Sequence, residues 1–243
     1  MEKIKFQLDN KDCVAVEGQM LVDAAADNGI YIPTLCNMHG LKPCGSCRVC
    51  TVKINGRYAT ACTTPVACGM DIESDTEEIK DIRSALIELM FAEGNHYCPT
   101  CEMSGNCDLQ ALGYKFGMMV PRFPYQFPQR EVNTDCPHLI IDYNRCIRCK
   151  RCIRSIKDDQ GKSYFAFINR GDKIEVSIDK EMANYMPKEL AKVAMENCPV
   201  GAILVKEQGY RIPIGKRKYD LKPIGSDIEE SNAKQIMEEV TNE

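Results

Sequence analysis

The densest chemistry in this chain lies in Asn95 to Cys107, N-H-Y-C-P-T-C-E-M-S-G-N-C, which carries His96, Cys98, Cys101 and Cys107 within a dozen residues. Soft thiolates presented from one tight turn can wrap zinc or an iron–sulfur cluster. The surrounding sequence weighs between the two. Cys36, Cys47, Cys50 and Cys62 precede the stretch, and Cys146, Cys149, Cys152 and Cys198 follow it, at cluster-like intervals. The chain reads as a wire of several iron–sulfur clusters, with a non-redox zinc scaffold as the competing reading.

Ligand arithmetic sharpens this. A four-iron cubane needs four ligands, and the C-x2-C-x2-C of Cys146, Cys149 and Cys152 supplies three from one turn. The position that would complete a bacterial ferredoxin run is Ile156, so the remaining thiolate falls to Cys198, which Pro199 follows. One [4Fe–4S] centre results. Arg148, Lys150, Arg151 and Arg154 surround that run and would offset part of its negative charge, or form a solvated basic face. In the middle stretch Cys98, Cys101 and Cys107 give three thiolates, and a ring nitrogen of His96 is the expected fourth ligand of a second [4Fe–4S] centre. A neutral imidazole leaves the centre one unit less negative and so raises its potential. His39 and His138 are read as ordinary surface or structural histidines. For the first set, Cys36, Cys47, Cys50 and Cys62 are expected to hold a [2Fe–2S] centre, since a two-iron rhomb needs ligands from separate loops and Cys62 lies at the far end of a hairpin that starts after Cys50. Cys44, Cys47 and Cys50 are also spaced C-x2-C-x2-C, so a four-iron set and a zinc site stay open there. Four, three and four thiolates account for eleven of the 15 cysteines. Cys13, Cys44, Cys68 and Cys136 remain, expected as mostly buried thiols.

The elements that must hold these loops are legible in part. Ile4–Leu8 and Cys13–Val16 read as strands around a turn at 9–12, and Met20 to Asn28 as a helix stopped by Gly29. Asn55-Gly56 signals a second hairpin. Hairpin, helix, cysteine loop and hairpin follow the order of a small β-grasp ferredoxin. An acidic run, Asp71 to Glu78, leads into a helix whose Ile79, Ile82, Leu86 and Leu89 recur at helical spacing, and Asp108–Leu112 resumes helix after Cys107. Gly117 to Arg130 reads as a proline-rich extended arm, either a docking segment or a loop over its own domain. Strands are expected at 139–142, 164–168 and 173–178, and a helix near 187–195. Ser226 to Glu229 reads as a capping box for a last helix presenting Ala233, Ile236, Met237 and Val240. The expected class is α+β: a β-grasp [2Fe–2S] domain at 1–78, a His/Cys3 module at 79–118, a ferredoxin-like [4Fe–4S] domain at 119–208 and a tail at 209–243.

Bulk properties narrow the function. An opening without an apolar core gives no signal peptide, and no apolar run approaches the ~20 residues of a membrane span. Cysteine usage this high suits thiolates on metal in a reducing, cytoplasmic compartment. A net charge of −4 gives no reason to expect nucleic acid. No G-x-G-x-x-G, Walker loop or paired C-x2-C nickel site is present, so no dinucleotide or substrate-converting site is expected on this chain.

These motifs resemble a known family. C-N-M-H-G-L-K-P-C-G-S-C-R-V-C with A-C-T-T-P-V, then C-P-T-C-E-M-S-G-N-C-D-L-Q, then D-Y-N-R-C-I-R-C-K-R-C with N-C-P-V-G-A-I, are similar to the N-terminal iron–sulfur region of the large iron–sulfur subunit of respiratory complex I and its hydrogenase relatives. The resemblance covers residues 1 to about 208. The length, F-A-E-G-N-H-Y-C-P-T-C, the M-M-V-P-R-F-P-Y-Q-F-P arm and P-I-G-K-R-K-Y-D resemble the diaphorase iron–sulfur subunit of NAD-reducing [NiFe] hydrogenase. Only Tyr97 separates His96 from Cys98, where complex I has three residues. The resemblance implies a flavoprotein partner holding FMN and NAD(H), [NiFe] hydrogenase small and large subunits, and room for a thioredoxin-like [2Fe–2S] subunit. The implied role is electron transfer between hydrogenase and flavoprotein in H2 + NAD+ ⇌ H+ + NADH. An NAD-linked formate dehydrogenase, a split complex-I-like assembly or an iron-only hydrogenase assembly is the alternative setting.

Overall fold

The computed structural model describes residues 2–206 and 209–230. The chain divides into two compact units, one of Met1–Asn37, Pro43–Ile87 and Lys222–Glu243, the other of Met38–Lys42 and Glu88–Leu221.

The first unit starts with β1 (Lys3–Leu8) and β2 (Lys11–Val16). Alternation along β1 buries Ile4, Phe6 and Leu8 and leaves Lys3, Lys5 and Gln7 outside. Asp9 and Asn10 both take positive φ, 50° and 62°, so the strands turn in two residues with Leu8 opposite Lys11. That geometry matches the right-handed twist of paired strands, and it is tighter than the turn expected at 9–12. The Asp9 carboxylate then accepts from the Ser74 amide at 2.6 Å and the Ser74 hydroxyl at 2.5 Å. Helix α1 (Leu21–Asp27) buries Leu21, Val22, Ala24 and Ala25 against the sheet and gives way to Gly29 at φ 70°. Strands β3 (Thr51–Ile54) and β4 (Arg57–Thr60) meet at Asn55-Gly56, both at positive φ. A strand the pattern did not announce, β5 (Asp71–Glu73), runs parallel to β1 and antiparallel to β3, giving the order β2-β1-β5-β3-β4. Three residues are too few to show a period. This mixed sheet with its helix is the ferredoxin-type fold expected. Helix α2 (Glu77–Glu93) starts behind Thr76, whose hydroxyl accepts the Ile79 amide at 3.3 Å, and the division between units falls within it.

Ser226 is already helical, and the Gly225 carbonyl accepts from Ile228 and Glu229, so Ser226 sits in the first turn and not at the cap. Gly225 takes φ 91°, and a side chain there would meet the Tyr31 ring. The rest of the proposed last helix, Ala233, Ile236, Met237 and Val240, lies outside the described residues.

The second unit holds α3 (Asp108–Lys115), β6 (Val132–Asn133), β7 (Leu139–Asp142), α4 (Arg151–Ser155), β8 (Phe165–Ile168), β9 (Glu175–Ile178), α5 (Lys180–Asn184), α6 (Lys188–Asn197) and β10 (Ile203–Val205). The strands form an antiparallel sheet β10-β7-β6 and a hairpin β8-β9. Residues 117–131 have no regular secondary structure, as the prolines predict. The arm lies over its own unit: the Arg122 amide and Nε donate to Glu88 at 3.0 and 2.8 Å, and the Gln126 amide donates to the Ala92 carbonyl at 2.9 Å.

Leu8 is fully buried in the first core, whereas Lys5 of the same strand faces out. Leu8→Ala is expected to cost about 2–5 kcal/mol and Lys5→Ala no more than about 0.5, measured by anaerobic denaturant unfolding.

Candidate metal centres

In the first unit, Cys36 comes from the loop after α1, Cys47 and Cys50 lead into β3, and Cys62 lies in a short 3-10 turn, Ala61–Thr63. All four are buried. The Cys47 amide points at the Cys36 sulfur from 3.5 Å. The Cys47 and Cys62 thiols also lean on Cys36, and the Cys62 thiol meets Cys50. Donation by its neighbours holds the Cys36 thiol far below its ordinary value, while those same contacts push Cys62 and Cys47 far up. Four thiols packed this way cannot ionise together unless a cation shares their space. The donor set therefore fits iron. Two positive-φ residues, Gly45 at 58° and Arg48 at 60°, shape the loop, and a Cβ on Gly45 would press the Thr63 methyl at 3.2 Å. Behind it Arg83, only 3% exposed, donates from Nη2 to the Thr51 carbonyl at 2.9 Å. Burial pulls its pKa down to about 10, with the Cys50 charge opposing that pull.

In the second unit His96, Cys98, Cys101 and Cys107 line one small cavity. Helix α2 delivers the chain to this cavity, and Phe91 meets the His96 ring edge-on at 5.3 Å. Burial, and then the charge of Arg145, lowers the imidazole pKa to about 4, so it stands neutral with a lone pair to offer. The Gly94 backbone packs on the ring, where a Cβ would collide with it. Cys107 caps α3, its sulfur accepting the Gln110 amide at 3.4 Å, a position where the helix dipole favours a thiolate. Burial still pushes that thiol up to about 12. The loop between Cys101 and Cys107 is clasped from far along the chain. Arg217 Nη1 donates to the Ser104 carbonyl at 3.1 Å, the Tyr219 amide to the Gly105 carbonyl at 2.9 Å and the Lys218 amide to Asn106 Oδ1 at 2.9 Å. Asp220, held down to about 2 by Arg217, secures the clasp from its own side. Residues 213–220 are thus tied down, where the charge-rich composition suggested a tail.

Cys146, Cys149, Cys152 and Cys198 line another small cavity, walled by Ile141, Val176 and Val200. Arg148 and Lys150 take left-handed φ of 54° and 65°, which turns successive amides inward in the manner of an anion nest. Amides of Val200, Ala202 and Ile203 face the Cys198 sulfur, opposing the larger effect of burial, which raises the thiol. Burial likewise takes Cys146 to about 11 and Cys149 to about 12. The basic residues around this run are engaged: Arg148 with Glu93 at 2.5 Å, Arg151 with Asp108 at 3.3 Å, and Arg154 Nη1 with the Lys42 carbonyl at 2.5 Å. Lys150 lies over the Phe167 ring.

The three groups share one trait. Among the described residues, the buried side-chain nitrogens without a hydrogen-bond partner are Arg83 Nε, His96 Nε2 and Arg151 Nε. They sit in a residue acting on Cys50, an expected ligand, and a residue acting on Cys149. In the second unit each ligand group lines a cavity of its own, whereas the four thiols of the first unit pack against one another. Of the other cysteines, Cys13 and Cys136 are buried, but Cys44 is half-buried and Cys68 exposed, because both lie in surface loops; the expectation of mostly buried thiols holds for two. Sequence reading passed over Gly94, Arg83, Arg145 and the clasp. Only the clasp left a local signal, the compact P-I-G-K-R-K-Y-D.

Gly94→Ala should displace the imidazole. In EPR of the reduced chain it is expected to alter one four-iron signal and leave the two-iron signal unchanged; identical spectra would show that the ring has no part in a centre.

Family models match three consecutive stretches: a 2Fe–2S iron–sulfur cluster binding domain at residues 1–77, the NADH-ubiquinone oxidoreductase-G iron–sulfur binding region at 83–122, and the ferredoxin-like domain of NADH-quinone oxidoreductase subunit 3 at 136–204. The gamma subunit of the NAD-reducing hydrogenase HoxS of Cupriavidus necator is 49% identical over 91% of this chain and 95% of its own length. The alpha subunit of the NADPH-Fe(3+) oxidoreductase of Geobacter sulfurreducens is 33% identical over 86% of this chain, which spans 25% of that protein. An NADH-quinone oxidoreductase subunit of Rickettsia typhi is 32% identical over 94% of the chain, which spans 34% of that protein. A chain in the crystal structure of an NAD+-reducing [NiFe]-hydrogenase in the H2-reduced state superposes with a TM-score of 0.84 at 37% identity, covering 91% of this chain and 95% of that one. With this identity along nearly the whole of both chains, and iron–sulfur domains in the same order, the chain belongs to the family of the iron–sulfur gamma subunit of NAD-reducing hydrogenase.

Proposed function

We propose that this chain is the electron-transfer subunit of a cytoplasmic, bidirectional NAD-reducing hydrogenase. It carries electrons between a [NiFe] hydrogenase dimer of small and large subunits and an FMN/NAD-binding flavoprotein subunit in H2 + NAD+ ⇌ H+ + NADH. One [2Fe–2S] centre belongs to Cys36, Cys47, Cys50 and Cys62. Two [4Fe–4S] centres belong to His96, Cys98, Cys101 and Cys107, and to Cys146, Cys149, Cys152 and Cys198. The working layout is a ferredoxin domain at 1–78, a His/Cys3 module at 79–118, a four-cysteine domain at 119–208 and a C-terminal segment from 209. The grouping of twelve expected ligands into three sets, buried or half-buried and each in its own loop cluster, carries this reading. Among the described residues, no helix is long and apolar enough to cross a membrane.

When bound, the clusters supply one-electron redox chemistry. The chain does the rest. It presents thiolates at amides of left-handed turns and at the α3 N-terminus, keeps His96 neutral, and walls each set with apolar side chains that limit water. Metal loading displaces protons from the ligand thiols and adds its binding free energy to folding. In this reading the hydrogen and NAD+ chemistry falls to partners.

Anaerobically purified chain is expected to hold about ten irons with matching labile sulfide, from one two-iron and two four-iron centres. Stoichiometric zinc without sulfide would end the proposal. His96→Ala should alter one four-iron EPR signal and spare the two-iron signal. Affinity purification of the native complex should recover a flavoprotein and a nickel-containing pair; a flavoprotein without nickel would transfer the chain to a formate dehydrogenase, a split complex-I-like assembly or an iron-only hydrogenase.

A further inference from the structure

Arg145 stands immediately before Cys146, yet its side chain serves the other four-ligand group of the same unit. Nη1 donates to the Cys101 sulfur at 3.6 Å, to Glu102 at 3.0 Å and to the Gly201 carbonyl at 3.3 Å, while Nε pairs with Asp142 at 2.9 Å. The side chain is 17% exposed, so water screens it little. Gly201, three residues after Cys198, is pressed on the same sulfur: a Cβ there would lie 2.7 Å from Cys101 Sγ and 3.5 Å from Arg145 Nη1. A second bridge runs close by, the Asp108 amide, next to Cys107, donating to the Pro199 carbonyl, next to Cys198, at 2.9 Å. The two four-ligand groups are therefore joined backbone to sulfur at Cys101, with one guanidinium in the joint.

Reduction adds one electron and no proton to a centre, so its net charge falls by one. A cation and an N–H···S hydrogen bond both stabilise the more negative state and raise the potential. Glu102 and Asp142 act the other way, and the guanidinium holds both. Accepting the assignment of His96, Cys98, Cys101 and Cys107 to one iron–sulfur centre, we propose that Arg145 is a positioning residue for electron transfer, setting the potential of that centre through its hydrogen bond to Cys101. Asp142 and Glu102 hold the guanidinium in place. Loss of the guanidinium removes the hydrogen bond and leaves both carboxylates uncompensated, so every contribution lowers the potential.

The test is an EPR-monitored redox titration, with dithionite as reductant, of the complete complex carrying Arg145→Met, Arg145→Lys or Glu102→Gln. At the wild-type midpoint of the middle centre, Arg145→Met is expected to lower the reduced-to-oxidised ratio about tenfold, ~59 mV for a one-electron couple. Arg145→Lys should fall between the two. Glu102→Gln should shift the centre upward, and the two-iron midpoint should not move in any variant. A fully loaded Arg145→Met centre titrating like wild type overturns the proposal. If that variant loads no middle centre, wild-type midpoints in both Arg145→Lys and Glu102→Gln overturn it equally. A wild-type complex with no such signal defeats instead the cluster assignment on which it rests.

Discussion

Thiol groups crowded out of water set the terms for this chain. Burial raises Cys107, Cys146, Cys149 and Cys198 above an ordinary thiol, and packing of sulfur on sulfur splits Cys36 from Cys62. Several such groups can be anionic together only around positive charge. Iron is the charge the donor set fits, and a few fixed groups assist it: backbone amides at Cys198 and Cys107, the guanidinium at Cys101 and the arginine behind Cys50. Metal uptake by such loops would add its binding free energy to folding.

Much of the backbone is shaped by that demand. Arg48, Arg148 and Lys150 adopt left-handed φ without being glycine, conformations that ordinarily cost of order 1–3 kcal/mol each. They stand inside the cysteine turns, where the same twist aims amides at sulfur. Gly94 and Gly201 serve a different need. Neither is held at an unusual φ, but each gives up a side chain so that an imidazole or a thiol can approach the backbone.

Charge around the centres is arranged in paired form. Arg148 meets Glu93, Arg151 meets Asp108, and Arg145 holds two carboxylates, so these basic residues near the cysteine runs are ion-paired and not an exposed face. Asp108 takes Lys218 at 3.0 Å and the Tyr219 hydroxyl at 2.6 Å as well. Through these contacts the 213–220 segment steadies the Cys101–Cys107 loop across 113 positions of chain, from Ser104 to Arg217. Half-buried pairs of this kind resist salt better than isolated surface pairs.

What the sequence by itself determined is everything that depends on neighbours a few residues apart. Period-two burial in β1, positive φ at Asn55-Gly56, the helical repeat of α2 and the C-x-x-C intervals are local constraints, and each can be read along the chain. Eleven cysteines and His96 could be sorted into three sets because a cluster's ligand count is a chemical constant. Tertiary structure alone decided the rest. The three-residue β5 exists only because β1 and β3 leave a gap between them, Cys44 and Cys68 face outward because their loops do, and the 213–220 segment is ordered by a loop more than a hundred residues earlier. Arg145 is the clearest case: nothing in its local sequence marks it, and the rotamer that lets it meet Cys101, Glu102 and Gly201 comes from packing between segments 43 and 56 residues distant. Spacing fixes which groups can share a turn; it carries no information about which distant group will neutralise them.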